Sequence, residues 1–290
     1  MKVLVIGATG MLGYSLFTNL SEYANLDVYG TVRTLKGKEK FFEGFIQQLI
    51  SGVDVNDITS VEKAISEVGP DIVINCVGLI KQHDIAKQHT EAVAINALLP
   101  HELANICDKN KAKLIHFSTD CVFAGDKGLY TEECLPDARD LYGKSKCLGE
   151  VDYSGHLTLR TSIIGHELNS AVSLVDWFLS QEGKTKGFSK AVFSGLPTCY
   201  IAKLLAEFVF PNPNIRGLLH LSAEPINKFE LLKLIAIKYA KSISIGESQT
   251  LVIDRSLNSN KFRVLTKFTP PSWSDLIDYM HRDYVKRYKG

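Results

Sequence analysis

Apolar runs of strand length alternate with amphipathic segments along the first half of the chain. The run KVLVIGA (2–8) is followed by MLGYSLFTNLSEY, whose apolar positions recur at helical spacing. Further strands are predicted at 26–32, from FIQQLISGVDV into Asp54, at 70–78, at 112–120 and at 156–165, with helices over SVEKAISEVG and 91–110. Continuous apolar strands separated by helices are typical of a parallel sheet with helices on both faces. The pattern therefore predicts an α/β, Rossmann-type doubly wound parallel sheet of about seven strands.

The alternation weakens after residue 165. The loop-rich segment QEGKTKGFSKAVFSG precedes predicted helices at 198–210 and 228–241, and the C-terminal tail has no regular period. We therefore predict a dinucleotide-binding Rossmann domain at 1–165. Residues 166–290 would form a small substrate-binding cap that is interleaved with the main domain.

Charge and cysteine content exclude several classes of protein. The chain has 290 residues and a formal net charge of +1, which gives no electrostatic reason to expect nucleic acid or an acidic membrane surface as a partner. No apolar run approaches the roughly 20 residues that span a bilayer. The six cysteines are scattered, without a Cys-x-x-Cys pair. We expect a cytoplasmic protein with reduced thiols and no metal site.

Three glycines separate the first predicted strand from the first predicted helix. They are Gly7, Gly10 and Gly13, in the stretch GATGMLG. Glycine lets the backbone turn tightly and approach a pyrophosphate, which then lies at the positive end of the helix. The position of these glycines at a strand-to-helix junction predicts dinucleotide binding.

Arg33, in GTVR at the end of the second predicted strand, bears on which dinucleotide binds. An acidic residue there would hold the ribose 2′-hydroxyl of NAD, whereas a guanidinium can pair with a 2′-phosphate. Lys36, Lys38 and Lys40 follow, and a solvated loop is the simpler interpretation of these lysines. We favour NADPH as the cofactor, with NADH as the alternative.

Polar side chains at the carboxyl edge of the predicted sheet supply candidate chemistry. The fifth strand ends in Ser118, Thr119 and Asp120, and DLYGKSKCLGE places Tyr142 and Lys146 four residues apart, on one face of a helix. We expect the ammonium of Lys146 to lower the pKa of the Tyr142 phenol, so that the phenol can protonate an alkoxide near neutral pH. The same ammonium would bind the nicotinamide ribose, and a hydroxyl of Thr119 or Ser118 would polarise the substrate carbonyl.

With these residues placed, the chain resembles an extended short-chain dehydrogenase/reductase and, more narrowly, the dTDP-4-dehydrorhamnose reductase family. The stretches GATGMLG, FSTDCVFAGDKGLYTEE, DLYGKSKCLGE and LRTSIIG carry the resemblance, and it continues more weakly through FSGLPT and RSLNSNKF. It implies NAD(P)H-dependent reduction of the C4 keto group of a nucleotide-linked 4-keto-6-deoxy sugar. The substrate would be dTDP-4-dehydrorhamnose or a UDP-linked acetamido analogue, used in bacterial-type surface polysaccharide synthesis.

The resemblance also implies roles for individual residues. Thr119, Tyr142 and Lys146 would form the catalytic triad, and Asp120 would contact the sugar. The implied cofactor contacts, besides Arg33, Tyr142 and Lys146, are Gly7, Thr9, Gly10, Met11, Leu12, Asp54, Val55, Cys76, Val77, Gly78 and Ser118. Cys121 stands where family members often have tyrosine, and CVGLIKQ (76–82) also departs from the family pattern, so the identity of the sugar is open.

The remaining predicted substrate contacts are cationic. Lys81 lies in the departing stretch, and Lys190 and Arg255 lie in the predicted cap, where they would meet the diphosphate of the nucleotide sugar. Solvated loop charges are the alternative interpretation for each of them. The expected partner is this small-molecule substrate, and a homodimer is left open.

Two other functions share the same sequence features. A nucleotide-sugar epimerase or dehydratase would need no net reductant. A non-catalytic regulatory subunit would retain the fold without the reaction, as the related methionine adenosyltransferase beta subunit does. The presence of Thr119, Tyr142 and Lys146 favours the reductase.

Overall fold

The computed structural model describes residues 1–79 and 88–289, and fourteen strands are found in that part of the chain. In chain order they are β1 (Lys2–Ile6), β2 (Asp27–Val32), β3 (Leu49–Ser51), β4 (Ile72–Asn75), β5 (Lys113–Thr119), β6 (Leu157–Thr161), β7 (Ile163–Ile164), β8 (Lys184–Phe188), β9 (Ala191–Phe193), β10 (Leu196–Pro197), β11 (Gly217–His220), β12 (Ile226–Asn227), β13 (Ser244–Ser248) and β14 (Ile253–Asp254).

The helices lie between these strands and after them. They are α1 (Met11–Leu20), α2 (Ile58–Val68), α3 (His89–Val93), α4 (Leu99–Lys109), α5 (Leu141–Leu148), α6 (Leu174–Ser180), α7 (Thr198–Leu204), α8 (Lys228–Lys238), α9 (Asn260–Thr266) and α10 (Trp273–Arg287). A π-helical turn, Ala94–Leu98, joins α3 to α4, and a second, Leu205–Val209, extends α7. No helix of the described residues is both long and apolar enough to cross a bilayer.

Seven of the strands form one parallel sheet, in the order β11–β6–β5–β4–β1–β2–β3. Side chains of β1 alternate between its two faces, as in any strand. Val3 and Val5 pack in one hydrophobic core with α1, whereas Leu4 and Ile6 pack in a second core with α2 and α4. Burial on both faces explains the unbroken apolar run of the sequence and confirms the predicted doubly wound fold.

The chain beyond residue 165 contributes both to this sheet and to a cap. The strand β11 pairs with β6 at the sheet's edge, and α7 packs in the same core as α1. The cap contains the pair β8–β13 and the small sheet β12–β9–β14, which lie against α6, α8 and α10. The last strand of the main sheet, β11, therefore comes after the first elements of the cap in the sequence.

Three predicted elements are wrong in extent or in kind. The third strand ends at Ser51 and not at Asp54, because Gly52 takes a positive φ of 81° and the chain turns there. The sixth strand leaves the main sheet at Thr161, and the next residues pair with β10 instead. The tail predicted to be irregular contains two helices, of which α10 is 15 residues long.

Candidate active site

The glycine loop between β1 and α1 is closely packed against the neighbouring strand. Gly7 has a φ of +85°, and a Cβ at this position would lie 2.7 Å from Cγ2 of Val77, so only glycine fits without strain. Gly10 forms the N-cap of α1, and within the described chain no side chain caps this end and no acidic residue occupies the first turn. The amides at the start of α1, which includes Met11 and Leu12, have no partner within the helix and are suited to an anion such as a pyrophosphate.

Two cations lie beside this loop. Lys38 donates a hydrogen bond from Nζ to the carbonyl oxygen of Thr9 (3.2 Å), while Lys36 and Lys40 are exposed. Burial and the nearby charge of Arg33 both lower the pKa of Lys38. Arg33 itself is exposed at the end of β2. A pair of cations next to a pyrophosphate site suits a further phosphate on the ribose.

The predicted cofactor contacts after β3 and after β4 make different interactions within the protein. Asp54 accepts a hydrogen bond at Oδ1 from the backbone amide of Asn56 (3.0 Å), so its carboxylate closes a local turn that includes Val55. After β4, the amide of Cys76 donates to the carbonyl oxygen of Ile6 (3.1 Å). A Cβ at Gly78 would lie 4.0 Å from Nζ of Lys146. The structure therefore places the segment 76–78 between the glycine loop and Lys146.

Thr119 and Tyr142 meet at the carboxyl edge of the sheet. Thr119 ends β5, and α5 begins next to it because Asp140 caps the helix by accepting a hydrogen bond from the amide of Gly143 (2.9 Å). A Cβ at Gly143 would lie 2.2 Å from the carbonyl oxygen of Cys121, so glycine allows the helix to approach the loop after β5. The phenol of Tyr142 is hydrogen-bonded to the hydroxyl of Thr119.

The electrostatics of Tyr142 are the reverse of the expectation from sequence. Burial raises the pKa of the Tyr142 phenol well above its ordinary value, Cys121 and Asp120 raise it further, and the hydrogen bond with Thr119 opposes them. Lys146 is not among the causes. The prediction that Lys146 lowers the pKa of Tyr142 in the protein alone is therefore wrong.

Lys146 is buried and is held by groups of β5. Its Nζ donates to the carbonyl oxygen of Phe117 (2.6 Å) and lies 3.3 Å from Nε2 of His116. Burial lowers the pKa of Lys146 to about 8, against the opposing charge of Glu150. The ammonium is thus engaged by β5 and loses its proton near pH 8, well before the phenol of Tyr142 does.

Three buried residues near this pair were not identified from the sequence. His116 contacts Asn75 on β4, with 3.2 Å between Nδ1 and Nδ2. Asn96, in the π-helical turn before α4, donates from Nδ2 to Oγ of Ser145 on α5 (3.2 Å). Polar residues inside the apolar runs DIVIN and KLIHF are the available signal for Asn75 and His116, whereas nothing in the helical pattern marks Asn96.

Ser118 belongs to a different network from Thr119. Its hydroxyl donates to Oε1 of Glu150 (2.7 Å), and Glu150 also accepts two hydrogen bonds from the guanidinium of Arg160, both of 2.7 Å. Successive strand residues point to opposite faces, so the two hydroxyls serve different sites. Of the two hydroxyls proposed to polarise a carbonyl, the structure brings that of Thr119 to Tyr142.

The predicted substrate cations are placed differently from one another. Arg255 lies at the carboxyl edge, where it donates from Nε to the carbonyl oxygen of Phe123 (2.9 Å) and from Nη1 to Sγ of Cys121 (3.6 Å). Burial raises the pKa of Asp120, and the charge of Arg255 opposes that shift. Lys190 is exposed in the turn between β8 and β9, and Lys81 lies outside the described residues. Asp120 and Arg255 are thus brought together beside Tyr142.

Comparison with known proteins gives one family match. Residues 1–251 match the family described as RmlD substrate binding domain. Over 151 residues the chain is 32% identical to a probable low-salt glycan biosynthesis reductase of Haloferax volcanii, a stretch that covers 52% of this chain and 48% of that protein. The matched region therefore spans about half the length of that relative. The chain is also 29% identical over 250 residues to the methionine adenosyltransferase 2 subunit beta of Danio rerio, covering 81% of this chain and 73% of that protein.

Among solved structures, the dTDP-4-dehydrorhamnose reductase of Bacillus anthracis in complex with NADP has a similar fold. Its TM-score is 0.79 at 21% sequence identity, with 97% of this chain and 99% of that chain covered. These matches confirm the resemblance drawn from the sequence motifs and the Rossmann-type fold. At this identity, the likeness to the solved structure shows the fold.

Proposed function

The chain belongs to the RmlD substrate binding domain family, and from that premise we propose that it is an NADPH-dependent reductase of the C4 keto group of a nucleotide-linked 4-keto-6-deoxy sugar. NADH is the alternative reductant, and the product would serve the synthesis of a surface polysaccharide. The observation that carries the proposal is the hydrogen-bonded pair of Thr119 and Tyr142, with Lys146 on the same helix, at the carboxyl edge of the sheet beside the glycine loop.

The residues around the glycine loop support a bound dinucleotide. The amides of Met11 and Leu12 would hold the pyrophosphate, and Arg33 with Lys38 would hold the 2′-phosphate. The segment 76–78 and Lys146 would contact the riboses. NADPH, when bound, supplies the hydride for the carbonyl carbon.

The chain's own residues would supply the proton and orient the sugar. The hydroxyl of Thr119, which donates to Oδ1 of Asp120 in the protein alone (3.1 Å), would turn to donate to the substrate carbonyl. Tyr142 would give its phenolic proton to the same oxygen as negative charge develops there. A high pKa keeps the phenol protonated until that charge develops, which suits a proton donor. Lys146, whose pKa is about 8, can then return a proton to the tyrosinate.

Transfer of an isotope label tests this proposal. The protein is incubated with a 4-keto-6-deoxy sugar nucleotide and NADPH that carries deuterium at the transferred position, and the product is examined by mass spectrometry and NMR. We expect one deuterium at C4 of the sugar for each NADPH oxidised. An epimerase or dehydratase would yield product without net oxidation of NADPH, and that result would refute the proposal.

A non-catalytic regulatory subunit is the second candidate. It is favoured by the similarity to the methionine adenosyltransferase 2 subunit beta, which extends over 81% of this chain. A subunit of this kind would bind the nicotinamide cofactor and a partner protein without consuming the cofactor. The retention of Thr119, Tyr142 and Lys146 in one site supports the reductase instead.

Replacement of Arg33 with alanine is expected to weaken binding of NADPH by about 10-fold and to leave binding of NADH nearly unchanged, because only NADPH carries the 2′-phosphate that a guanidinium can pair with. Dissociation constants measured by titration calorimetry for both cofactors check this. Lys36→Ala, at an exposed position of the same loop, is the control. An equal loss of affinity for NADPH and NADH would show that Arg33 does not bind the 2′-phosphate.

Replacement of Arg255 with alanine is expected to raise the KM for the sugar nucleotide by about 10-fold, because a cation at the carboxyl edge is lost from the substrate's diphosphate. The affinity for NADPH should stay the same. Steady-state kinetics with each substrate varied in turn provide the measurement, and Lys190→Ala tests the second predicted cation in parallel. An unchanged KM for Arg255→Ala would show that Arg255 does not bind the substrate.

A further inference from the structure

A buried chain of four groups leads from the loop after β4 to Lys146. The backbone amide of Val77 donates to Oδ1 of Asn75 (3.0 Å), and Nδ2 of Asn75 lies 3.2 Å from Nδ1 of His116. Nε2 of His116 lies 3.3 Å from Nζ of Lys146. The side chains of Asn75 and His116 are each about 1% exposed, and that of Lys146 is 5% exposed. The burial of these side chains thus separates the four groups from water.

The direction of each hydrogen bond in this chain is fixed by its first member. A backbone amide can only donate, so it holds Oδ1 of Asn75, and Nδ2, which also only donates, is left facing His116. Nδ1 of His116 must therefore accept. Burial and the charge of Lys146 lower the pKa of His116 well below its ordinary value, so the ring is neutral. A neutral ring that accepts at Nδ1 carries its proton on Nε2.

This tautomer presents an N–H to Lys146. An ammonium has no lone pair, whereas a neutral amine has one, so the contact at 3.3 Å is a hydrogen bond only when Lys146 has lost its proton. The carbonyl oxygen of Phe117 accepts from either form of Lys146 and holds the ammonium more strongly, so it opposes the preference set by His116. His116 therefore favours the neutral amine.

We propose that Asn75 and His116 are positioning residues for Lys146. The Val77 amide, acting through Asn75, fixes the tautomer of His116, whose imidazole N–H then lies against Nζ of Lys146. This contact makes Lys146 a ready proton donor instead of a permanent cation. Burial lowers the pKa of Lys146 to about 8, and in this proposal the N–H of His116 favours the neutral amine further. In the proposed reaction, a readily released proton on Lys146 is what restores the phenol after each turnover.

Other titratable groups face this assembly and act differently. Glu150, just after the helix of Lys146, favours the ammonium, and His101 on α4 disfavours a charged His116. Asp120, Cys121 and Asp140 face the Tyr142 phenol. None of these groups fixes the tautomer of His116, so substitutions at Asn75 and His116 isolate the proposed effect.

The first test requires no substrate. Long-range 1H–15N NMR spectra of the full chain report the tautomer of each histidine, and the His116 signals are assigned by their loss in His116→Gln. We expect a neutral ring with its proton on Nε2 from pH 6 to pH 9. A proton on Nδ1, or a charged ring, would overturn the proposal whatever the protein's reaction is.

The second test measures Lys146 itself and then the reaction. Asn75→Asp places an acceptor against Nδ1 of His116, which reverses the tautomer and turns a lone pair toward Nζ, but its negative charge also raises the pKa of Lys146 directly. Gln at position 116 can offer a carbonyl oxygen to Nζ without adding charge, so a shift in Asn75→Asp alone would overturn the proposal. Both variants should raise the midpoint of the Lys146 13Cε titration by about one pH unit, the effect of one hydrogen bond to a charged group. The kinetic arm rests on the proposed function: the alkaline limb of kcat should move upward by the same amount.

His156→Gln provides the matched control. His156 is another buried histidine of the sheet region, and its Nδ1 accepts from the backbone amide of Leu114 (3.1 Å). We expect its replacement to leave both the Lys146 titration and the alkaline limb unchanged. Unshifted titrations in Asn75→Asp and His116→Gln, or an equal shift in His156→Gln, would overturn the proposal. Shifted titrations without turnover of any sugar nucleotide would instead refute the proposed function alone.

Discussion

Replacement of Tyr142 with phenylalanine is expected to lower kcat by about 10²–10⁴-fold, the contribution of a positioned general acid. The phenol is the group that is hydrogen-bonded to Thr119 at the carboxyl edge, and its high pKa keeps the proton in place until the substrate oxygen becomes negative. Phenylalanine retains the ring and removes only this proton. Single-turnover measurement of NADPH oxidation in the presence of a saturating sugar nucleotide would give the loss.

Binding of NADPH should survive this change, because the amides at the start of α1 and the cations beside the glycine loop remain. Tyr23→Phe is a matched control, since Tyr23 follows the end of α1 and its hydroxyl donates to Oε1 of Glu207, away from the proposed site (3.3 Å). We expect its activity to match that of the unmodified protein. Activity above about a tenth of the original in Tyr142→Phe would show that another group supplies the proton.

Replacement of Glu150 with alanine is expected to lower the free energy of unfolding by about 3–5 kcal/mol. Glu150 accepts two hydrogen bonds from Arg160 and one from Ser118, and the side chain of Arg160 is only 3% exposed. Removing the carboxylate leaves a buried guanidinium without its counter-charge. The network ties the end of α5 to β5 and β6, so its loss should also loosen the helix that carries Tyr142 and Lys146. Urea denaturation followed by circular dichroism measures the effect.

Glu62→Ala is the control for this prediction. Glu62 pairs with Lys109 at 3.4 Å, and both side chains are largely exposed, so the pair is worth at most about 1 kcal/mol. We therefore expect the two variants to differ by several kilocalories per mole. A loss for Glu150→Ala as small as that for Glu62→Ala would mean that Arg160 finds another partner or water.

The parallel sheet could be predicted because its central strands are buried on both faces. Such burial requires the unbroken apolar runs seen at 2–8, 70–78 and 112–120, and these runs contain β1, β4 and β5. The position of β11 could not be predicted, since a short strand at a sheet edge has no comparable signal. It joins the sheet only because β6 offers a free edge after the cap has begun.

The C-terminal helix α10 was missed because its burial is confined to one narrow stripe. Leu276, Ile277 and Met280 are buried, while most of the other residues of the helix are polar or charged. Its start is nevertheless marked in the sequence: Pro270 and Pro271 precede Ser272, whose hydroxyl accepts a hydrogen bond from the amide of Asp275. A proline pair followed by Ser-x-x-Asp is a helix-start signal that outweighs the weak hydrophobic pattern.

The sequence predicts those features of the site that follow from residue spacing, but not those that depend on how deeply the side chains are buried. The positions of Tyr142 and Lys146, one turn apart on a helix, follow from the sequence. The sign of their electrostatics does not, because the burial of both side chains and the contacts of Lys146 with Phe117 and His116 are tertiary features. Burial disfavours the charged form of each group, which raises the pKa of the phenol and lowers that of the amine.

The most direct test of the central claim is the absorbance of NADPH, followed while the purified protein is offered a panel of dTDP-linked and UDP-linked 4-keto-6-deoxy sugars. We predict that at least one member is reduced with one NADPH consumed per sugar, giving a hydroxyl at C4, and that Tyr142→Phe abolishes this consumption. No oxidation of NADPH with any member of the panel, by a folded protein that binds the cofactor, would contradict the claim.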